Sequence, residues 1–455
     1  MKINRSIFKA YDIRGLVDKD LSPEFAYHLG KAFATLRMRE EGRGELTFVI
    51  ARDMRLSSEG YQKELMRGIN ELGCNVKDIG FASAPTFYYS IDALKSDGGV
   101  IVTASHNPGT YNGFKPSRPH AAVLGGPTGI LDLADLMESD DYMAVAEKPG
   151  EIEQVDGMTK AAVKMQIDFI GAEDFSDVKA IADTANGMGA LYLDELFTQG
   201  GMEAERMYFE LDGNFPNHEA NPKVLENLVD IQERMRAGDF DLGIATDGDG
   251  DRVFLLDEKG DLVDPWYVHG IVAQEILRKH PGAKIVRDIR PARIINEMVE
   301  DAGGEVLLVC AGSPMIKKEI RDKGALFGGE SSGHFMYAFK EGAFEGPVSV
   351  IAAFLARMKR EGKPLSEIIA PYRIYDHSGE HNFEVENKEE ALERLKNAFA
   401  DGEVNEMDGV SVTFPDFWFN ARPSNTEPLL RLNLEAVDEK TMKEKLAEVR
   451  RIIEG

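Results

Sequence analysis

The chain has 455 residues, 43% of them hydrophobic and 29% charged, the balance of an ordinary globular protein divided into three or four domains. Its net charge of −26 excludes an extended nucleic-acid surface, which needs a basic patch, and no run of about 18 apolar residues is present to cross a membrane. Two cysteines, Cys74 and Cys310, are too few for a disulfide framework and are read as reduced, buried and structural; Met1 to Phe8 lacks a signal peptide's apolar stretch, so the chain reads as cytoplasmic.

Residues 5–15 read as an irregular opening that brings Tyr11, Asp12 and Arg14 close together. Helical spacing over 23–40 precedes a strand, Leu46–Ala51, that ends in Arg52-Asp53. A helix near 57–72, a strand at Val76–Ile79 and a helix at about 86–95 lead to the apolar run Gly99–Val102. Thr103-Ala-Ser105-His106-Asn-Pro108 and the turn-rich stretch Tyr111-Asn-Gly-Phe-Lys115 follow it. A β-branched run broken by Ser, Asn and Pro predicts a strand ending in a loop, with the Ser105 hydroxyl at a strand's C-terminal end, where open α/β sheets present ligand chemistry.

The same order recurs twice. Val178–Ala182 ends in Asp183, Gly187 and Gly189 open a helix, and strands follow near Ala204–Tyr208 and at Phe240–Ala245. Ala283–Val286 runs into Arg287-Asp288, with a helix from about 292, a strand at Gly304–Val309, a helix near 315–323 and a strand at Ala325–Phe327. Residues 138–158 read as a linker. The last segment, with strands near 380–385, 409–414 and 429–435 and helices at 388–399 and 438–453, reads as a small α+β domain. The predicted class is α/β: three related mixed α/β domains plus a C-terminal α+β domain around a central cleft, with boundaries at 1–150, 151–256, 257–370 and 371–455.

In each repeat the same late strand ends in a chemically loaded loop. The first holds Ser105, a weak nucleophile until a base, metal or charge activates it, with Lys115 near in sequence. In the second, Asp247, Asp249 and Asp251 stand two apart, and three carboxylates on one side repel unless a hard cation such as Mg²⁺ or Ca²⁺ sits among them. Arg252 follows directly. The third loop, Gly328–His334, offers Glu330, Ser332 and His334: hydroxyl and carboxylate groups suited to sugar hydroxyls, and a group able to move a proton. A fourth loop in the last domain, Arg422-Pro-Ser424-Asn425-Thr426-Glu-Pro428 with Arg431 beyond, suits a phosphate. Together these parts describe phosphoryl transfer on a phosphorylated polyol.

These four loops, in order, resemble the four signature loops of the α-D-phosphohexomutase superfamily, and the resemblance spans the whole chain. Phe8-Lys-Ala-Tyr11-Asp12-Ile-Arg14-Gly15 and Tyr111–Lys115 look most like its phosphomannomutase/phosphoglucomutase branch. The resemblance implies an isomerase that interconverts hexose 1- and 6-phosphates of mannose or glucose through a phosphoserine at Ser105 and a 1,6-bisphosphate, which also serves as activator. It implies Mg²⁺ held by Ser105, Asp247, Asp249 and Asp251; Lys115 and His334 as proton-transfer groups; and Arg14 and Arg252 as charge stabilisers. Tyr11, Arg290, Glu330 and Ser332 would bind the sugar side, and Arg422, Ser424, Asn425, Thr426 and Arg431 the phosphate that is not transferred. The expected partners are small sugar phosphates, with the chain a monomer. Two positions depart from the branch: Ala311-Gly312-Ser313-Pro314 replaces Thr-Gly-His-Ser, and Arg290 before Pro291 stands where lysine is common. The alternatives are a phosphoglucosamine or other single-sugar mutase, a phosphatase of the same parts, and a non-catalytic sugar-phosphate binder.

Overall fold

The computed structural model describes residues 2–125, 129–172, 174–290, 293–423 and 429–455. The chain divides into two compact units, one of Met1–Val263 with Ser332–Leu365, the other of Asp264–Ser331 with Ser366–Gly455. Among the described residues no helix is long and apolar enough to cross a membrane.

In the first unit, Gly99–Val102 is buried at every position, as expected of a strand covered on both faces. It lies between Thr47–Arg52, parallel to it, and Tyr111–Arg118, antiparallel to it. Helix Pro23–Glu41 covers this sheet; Ser22 caps it by accepting from the Phe25 amide at 3.1 Å, and Gly42 ends it in the left-handed region. The phenylalanines at 25, 33, 48 and 114 fill the layer between them.

The second sheet repeats this plan. Leu242–Thr246, buried throughout, runs parallel to Lys179–Asp183 and is followed by an antiparallel return strand, Val253–Leu256. The second unit shows the parallel part again, with Lys284–Asp288 between Glu305–Val309 and Phe327–Gly329. Its C-terminal part is a five-stranded antiparallel sheet over helices Lys388–Ala398 and Glu439–Glu454, with Phe383, Phe399, Phe417 and Phe419 in the core. The expected repeats are present, and so is the α/β class with its C-terminal α+β part.

Several elements differ from expectation. The irregular opening contains a strand, Ile13–Leu16, paired antiparallel with the turn-rich stretch, itself an eight-residue strand, Tyr111–Arg118. Its Gly113 and Pro116 hid it: Pro116 lies past the end of the pairing with Ile13–Leu16, which stops at Phe114, so its missing donor is tolerated. The linker carries a short edge strand, Ile152–Gln154, beside Asn75–Phe81. Strands Phe335–Phe339, Gly342–Glu345, Glu403–Asn405 and Phe417–Pro423 were not expected. Cys74 is buried, but Cys310 is half-buried at the end of its strand, with its thiol on the Met407 carbonyl.

Candidate active site

In the first unit, the loop after Gly99–Val102 turns sharply at Ser105, whose φ of +53° is unusual for a residue with a side chain and marks stored strain. Its amide donates to Thr103 Oγ1 at 3.0 Å, and its carbonyl accepts from Arg55. The hydroxyl, buried, donates to Asp247 Oδ2 at 3.2 Å and lies 3.3 Å from His106 Nδ1. Burial first, then the charges of Arg252 and Arg14, push the His106 pKa down to about 2, so the ring stays neutral. Arg14 reaches the same loop, donating to Asn107 Oδ1 at 2.9 Å while paired with Asp12. Tyr11 lies half-buried beside it in sequence.

The loop after Leu242–Thr246 meets this one without a gap. A Cβ at Gly248 would lie 2.4 Å from the Ser105 carbonyl oxygen, so only glycine lets the two backbones approach. Asp247, Asp249 and Asp251 are buried, and one oxygen from each falls within 4.8 Å of the others. Lys115 Nζ donates to Asp249 at 2.6 Å and to Asp251 at 2.8 Å. Burial alone would depress the lysine pKa, but these two carboxylates hold it well above its ordinary value, so here Lys115 is a proton donor. Burial and repulsion from Asp251 and Asp249 push Asp247 up to about 8.

One lysine does not satisfy three carboxylates. Buried Asp249 Oδ1 accepts no hydrogen bond among the described residues, and Asp251 Oδ1 faces the His334 ring at 3.2 Å. Three buried carboxylates converging with a serine hydroxyl, one of their oxygens without a donor, fit a hard divalent cation, whose ligands are oxygens.

Arg252 and His334 close the other side. They form a backbone bridge, and the Val253 amide donates to the Gly333 carbonyl at 3.1 Å. His334 Nδ1 lies 2.9 Å from Ser332 Oγ, so Ser332 orients the ring. His334 Nε2 faces the Arg252 Nε donor at 3.3 Å and Asp251 Oδ1 at 3.2 Å. The arginine favours a lone pair there and the aspartate a proton, which suits a group that changes protonation state.

In the second unit, Arg290 forks onto Asp288 and donates to Glu330 Oε1 at 3.1 Å, so the arginine at this position keeps a charge locked between two carboxylates. Arg422 and Arg431 stand directly opposite each other on antiparallel strands Phe417–Pro423 and Leu429–Ala436. Ser424, Asn425 and Thr426 lie outside the described residues. The structure thus brings Ser105, Lys115, Arg14, the three aspartates, Arg252, Ser332 and His334 together in one unit, and Arg290 with Glu330, and Arg422 with Arg431, in the other.

Two residues escaped the sequence reading. Arg55, wholly buried, pairs with Asp53 at 3.1 Å and donates to the carbonyls of Ser105, Asn107, Pro108 and Tyr111, stitching both ends of the serine loop. The only signal was an arginine two residues past the Asp53 that ends a buried strand. Glu380 stands beside Arg422 and Arg431, and no motif marked it.

Four stretches of the chain match the four parts of one known family. Residues 5–140, 155–260 and 264–375 match "Phosphoglucomutase/phosphomannomutase, alpha/beta/alpha" domains I, II and III, and residues 380–452 match its C-terminal domain. The chain is 36% identical to a phosphomannomutase of Methanocaldococcus jannaschii, over 98% of this chain and 97% of that one. It is 32% identical to a phosphomannomutase/phosphoglucomutase of Pseudomonas aeruginosa, over 96% and 93%. The crystal structure of a phosphoglucomutase/phosphomannomutase family protein from Burkholderia thailandensis superposes with a TM-score of 0.89 at 30% identity, covering 99% of this chain and 98% of that one.

Proposed function

The chain belongs to the phosphoglucomutase/phosphomannomutase family of phosphohexomutases, enzymes of the isomerase type, and on that premise we propose that it moves a phosphoryl group between positions 1 and 6 of mannose and glucose through Ser105. The observation that carries this reading is the Ser105 hydroxyl held 3.2 Å from Asp247 in a buried carboxylate triad. A binding protein has no use for a strained, buried serine beside three like charges.

Asp247, Asp249 and Asp251 would hold Mg²⁺ together with the Ser105 oxygen, and the cation supplies charge neutralisation at the transferring phosphoryl group. Ser105, carrying the phosphoryl group, passes it to a sugar hydroxyl. His334 takes the proton that this hydroxyl loses, Lys115 donates one toward the leaving Ser105 oxygen, and Arg14 and Arg252 offset charge on the oxygens in flight. The resulting 1,6-bisphosphate returns its other phosphoryl group to Ser105, and free bisphosphate restores the phosphoserine when it is lost. Glu330 and Arg290 engage the sugar side, and Arg422 and Arg431, with Ser424, Asn425 and Thr426, take the phosphate at rest. The four expected segments, 1–150, 151–256, 257–370 and 371–455, then carry nucleophile, metal, sugar and phosphate respectively.

Glu330 reads hydroxyls that mannose and glucose share, and a site that ignores C2 discriminates weakly between them, whereas one built to bond a given hydroxyl reaches about 10⁴-fold or more. The test is a coupled assay on mannose, glucose and glucosamine 1-phosphates under the same Mg²⁺, with and without hexose 1,6-bisphosphate. The proposal predicts that kcat/KM for mannose and glucose agree within about 100-fold and that bisphosphate stimulates both. A gap between them beyond about 10⁴-fold makes it a single-sugar mutase, and phosphate release without isomerisation makes it a phosphatase.

A further inference from the structure

Arg422 and Arg431 are cross-strand neighbours on one face of the C-terminal sheet. Like charges directly opposite each other destabilise a sheet, so this pair implies an anion between or beside them. Burial and the charge of nearby Arg290 pull the Arg422 pKa down, while Asp408 and Glu380 support its charge. Arg422 Nε is buried and donates to nothing among the described residues. The clamp is therefore crowded with positive charge and holds a donor in reserve.

Beside Asp408, the carboxylate that faces both arginines is Glu380. It lies 3.8 Å from Arg422 Nη2 and 3.8 Å from Arg431 Nη1. Its position comes from a β-bulge. Strand Asp376–Glu384 pairs His377 with Glu435, but the next pair is Glu380 with Asn433, so one extra residue is inserted on the Glu380 side. Gly379, at φ +75°, takes the left-handed turn this requires, and the Ser378 hydroxyl ties the bulge to the neighbouring strand by accepting from the Leu434 amide at 3.1 Å. Bulges re-aim side chains, and this one sets Glu380 diagonal to Arg431, whose own partner on that strand is Asn382.

The distance matters as much as the direction. A carboxylate at 3.8 Å is too far to consume the guanidinium N–H groups by hydrogen bonding, which needs about 2.7–3.2 Å. It lends the arginines negative charge without taking their donors. An arriving phosphate meets the Arg422 Nε donor, which bonds to nothing among the described residues, and also the like charge of Glu380.

We infer that Glu380 is a positioning residue that keeps the phosphate clamp ordered when empty and weakens its grip when full, so that a bisphosphate leaves fast enough to return in its second orientation. This rests on the reading of Arg422 and Arg431 as the site of the resting phosphate. A mutase needs such a device because its intermediate must exchange ends, and a clamp that held phosphate as tightly as two arginines allow would trap it.

The test compares Glu380→Gln, which removes the charge at constant shape, with Glu380→Asp, which keeps it. The Gln variant is expected to lower KM for the hexose 1-phosphate, and the inhibition constant of inorganic phosphate, by about tenfold, without raising kcat; the Asp variant stays near wild type. A merely structural role would raise KM in the Gln variant, and that result, or an unchanged KM, overturns the inference. Arg422→Ala runs alongside and is expected to raise KM by roughly 10- to 150-fold for the loss of one charge-assisted contact. If Arg422→Ala leaves KM unchanged, the phosphate reading itself fails. If it raises KM while Glu380→Gln does not lower it, only the role of Glu380 fails.

Discussion

Replacing Arg55 by methionine keeps the apolar stem and removes the fork that holds the Ser105 loop. The lost contacts are four bonds to carbonyls, at 2.8 Å to Pro108, 2.9 Å to Tyr111, 2.9 Å to Ser105 and 2.6 Å to Asn107, and the pair with Asp53. Taken singly, charge-assisted bonds are worth about 1.5–3 kcal/mol, but these share one guanidinium and do not add. Breaking a buried ion pair by removing one partner costs about 3–5 kcal/mol, and Asp53 keeps the Ser58 hydroxyl at 2.6 Å, so the expected loss of stability is in that range. The larger consequence is local. Ser105 holds a left-handed backbone only because its surroundings impose it, and without Arg55 the loop relaxes. A displacement of about 1 Å at a reacting atom costs roughly 10²-fold in rate, so kcat should fall by about that factor while KM for the sugar phosphate changes little. Arg55→Lys should lose less stability yet retain much of the kcat deficit, because an ammonium cannot bridge four carbonyls. Steady-state kinetics beside thermal unfolding of the three proteins decides it. An Arg55→Met enzyme that is less stable but turns over at the wild-type rate would show that Arg55 supports the fold and does not position Ser105.

Chelation of divalent cations is expected to stop turnover and added Mg²⁺ to restore it, and full activity in excess chelator would remove the aspartate triad from catalysis. A pH effect is expected from Glu435, buried at the base of the C-terminal sheet, whose pKa burial raises to about 7. The folded state then holds a proton that the unfolded state releases near the ordinary glutamate value. Stability is greatest at low pH in this respect and is lost as pH rises through about 7. Glu435→Gln should therefore stabilise the protein at pH 8 relative to wild type, by at most about 3 kcal/mol, and much less at pH 5, as read by denaturant unfolding at both pH values. Equal effects at both would contradict the buried, protonated carboxyl.

The parts of this molecule that were legible in the sequence are those with a local pattern. Gly99–Val102 and Leu242–Thr246 are buried on both faces and so appear as unbroken apolar runs. The aspartates at 247, 249 and 251 announce a cation by spacing alone. Elements held together by tertiary context were hidden. Tyr111–Arg118 carries glycine, asparagine and proline and is a strand because Ile13–Leu16 and Gly99–Val102 pair with its two sides. Cys310 ends an apolar run, yet it lies where the strand gives way to a loop and is half-buried. Arg55 and Glu380 were invisible for a related reason. Each acts on residues far away in the chain, one through carbonyl oxygens that every sequence shares and the other through a bulge that only strand register reveals.

On the proposed reading, Ser105 carries the phosphoryl group. Mass spectrometry of the intact enzyme after incubation with hexose 1,6-bisphosphate, followed by peptide mapping, tests it most directly. One phosphoryl group is expected, on the peptide containing Ser105, and none on a folded Ser105→Ala variant that has lost nearly all turnover. A phosphoryl group elsewhere, or a Ser105→Ala enzyme that keeps most of its activity, would contradict it.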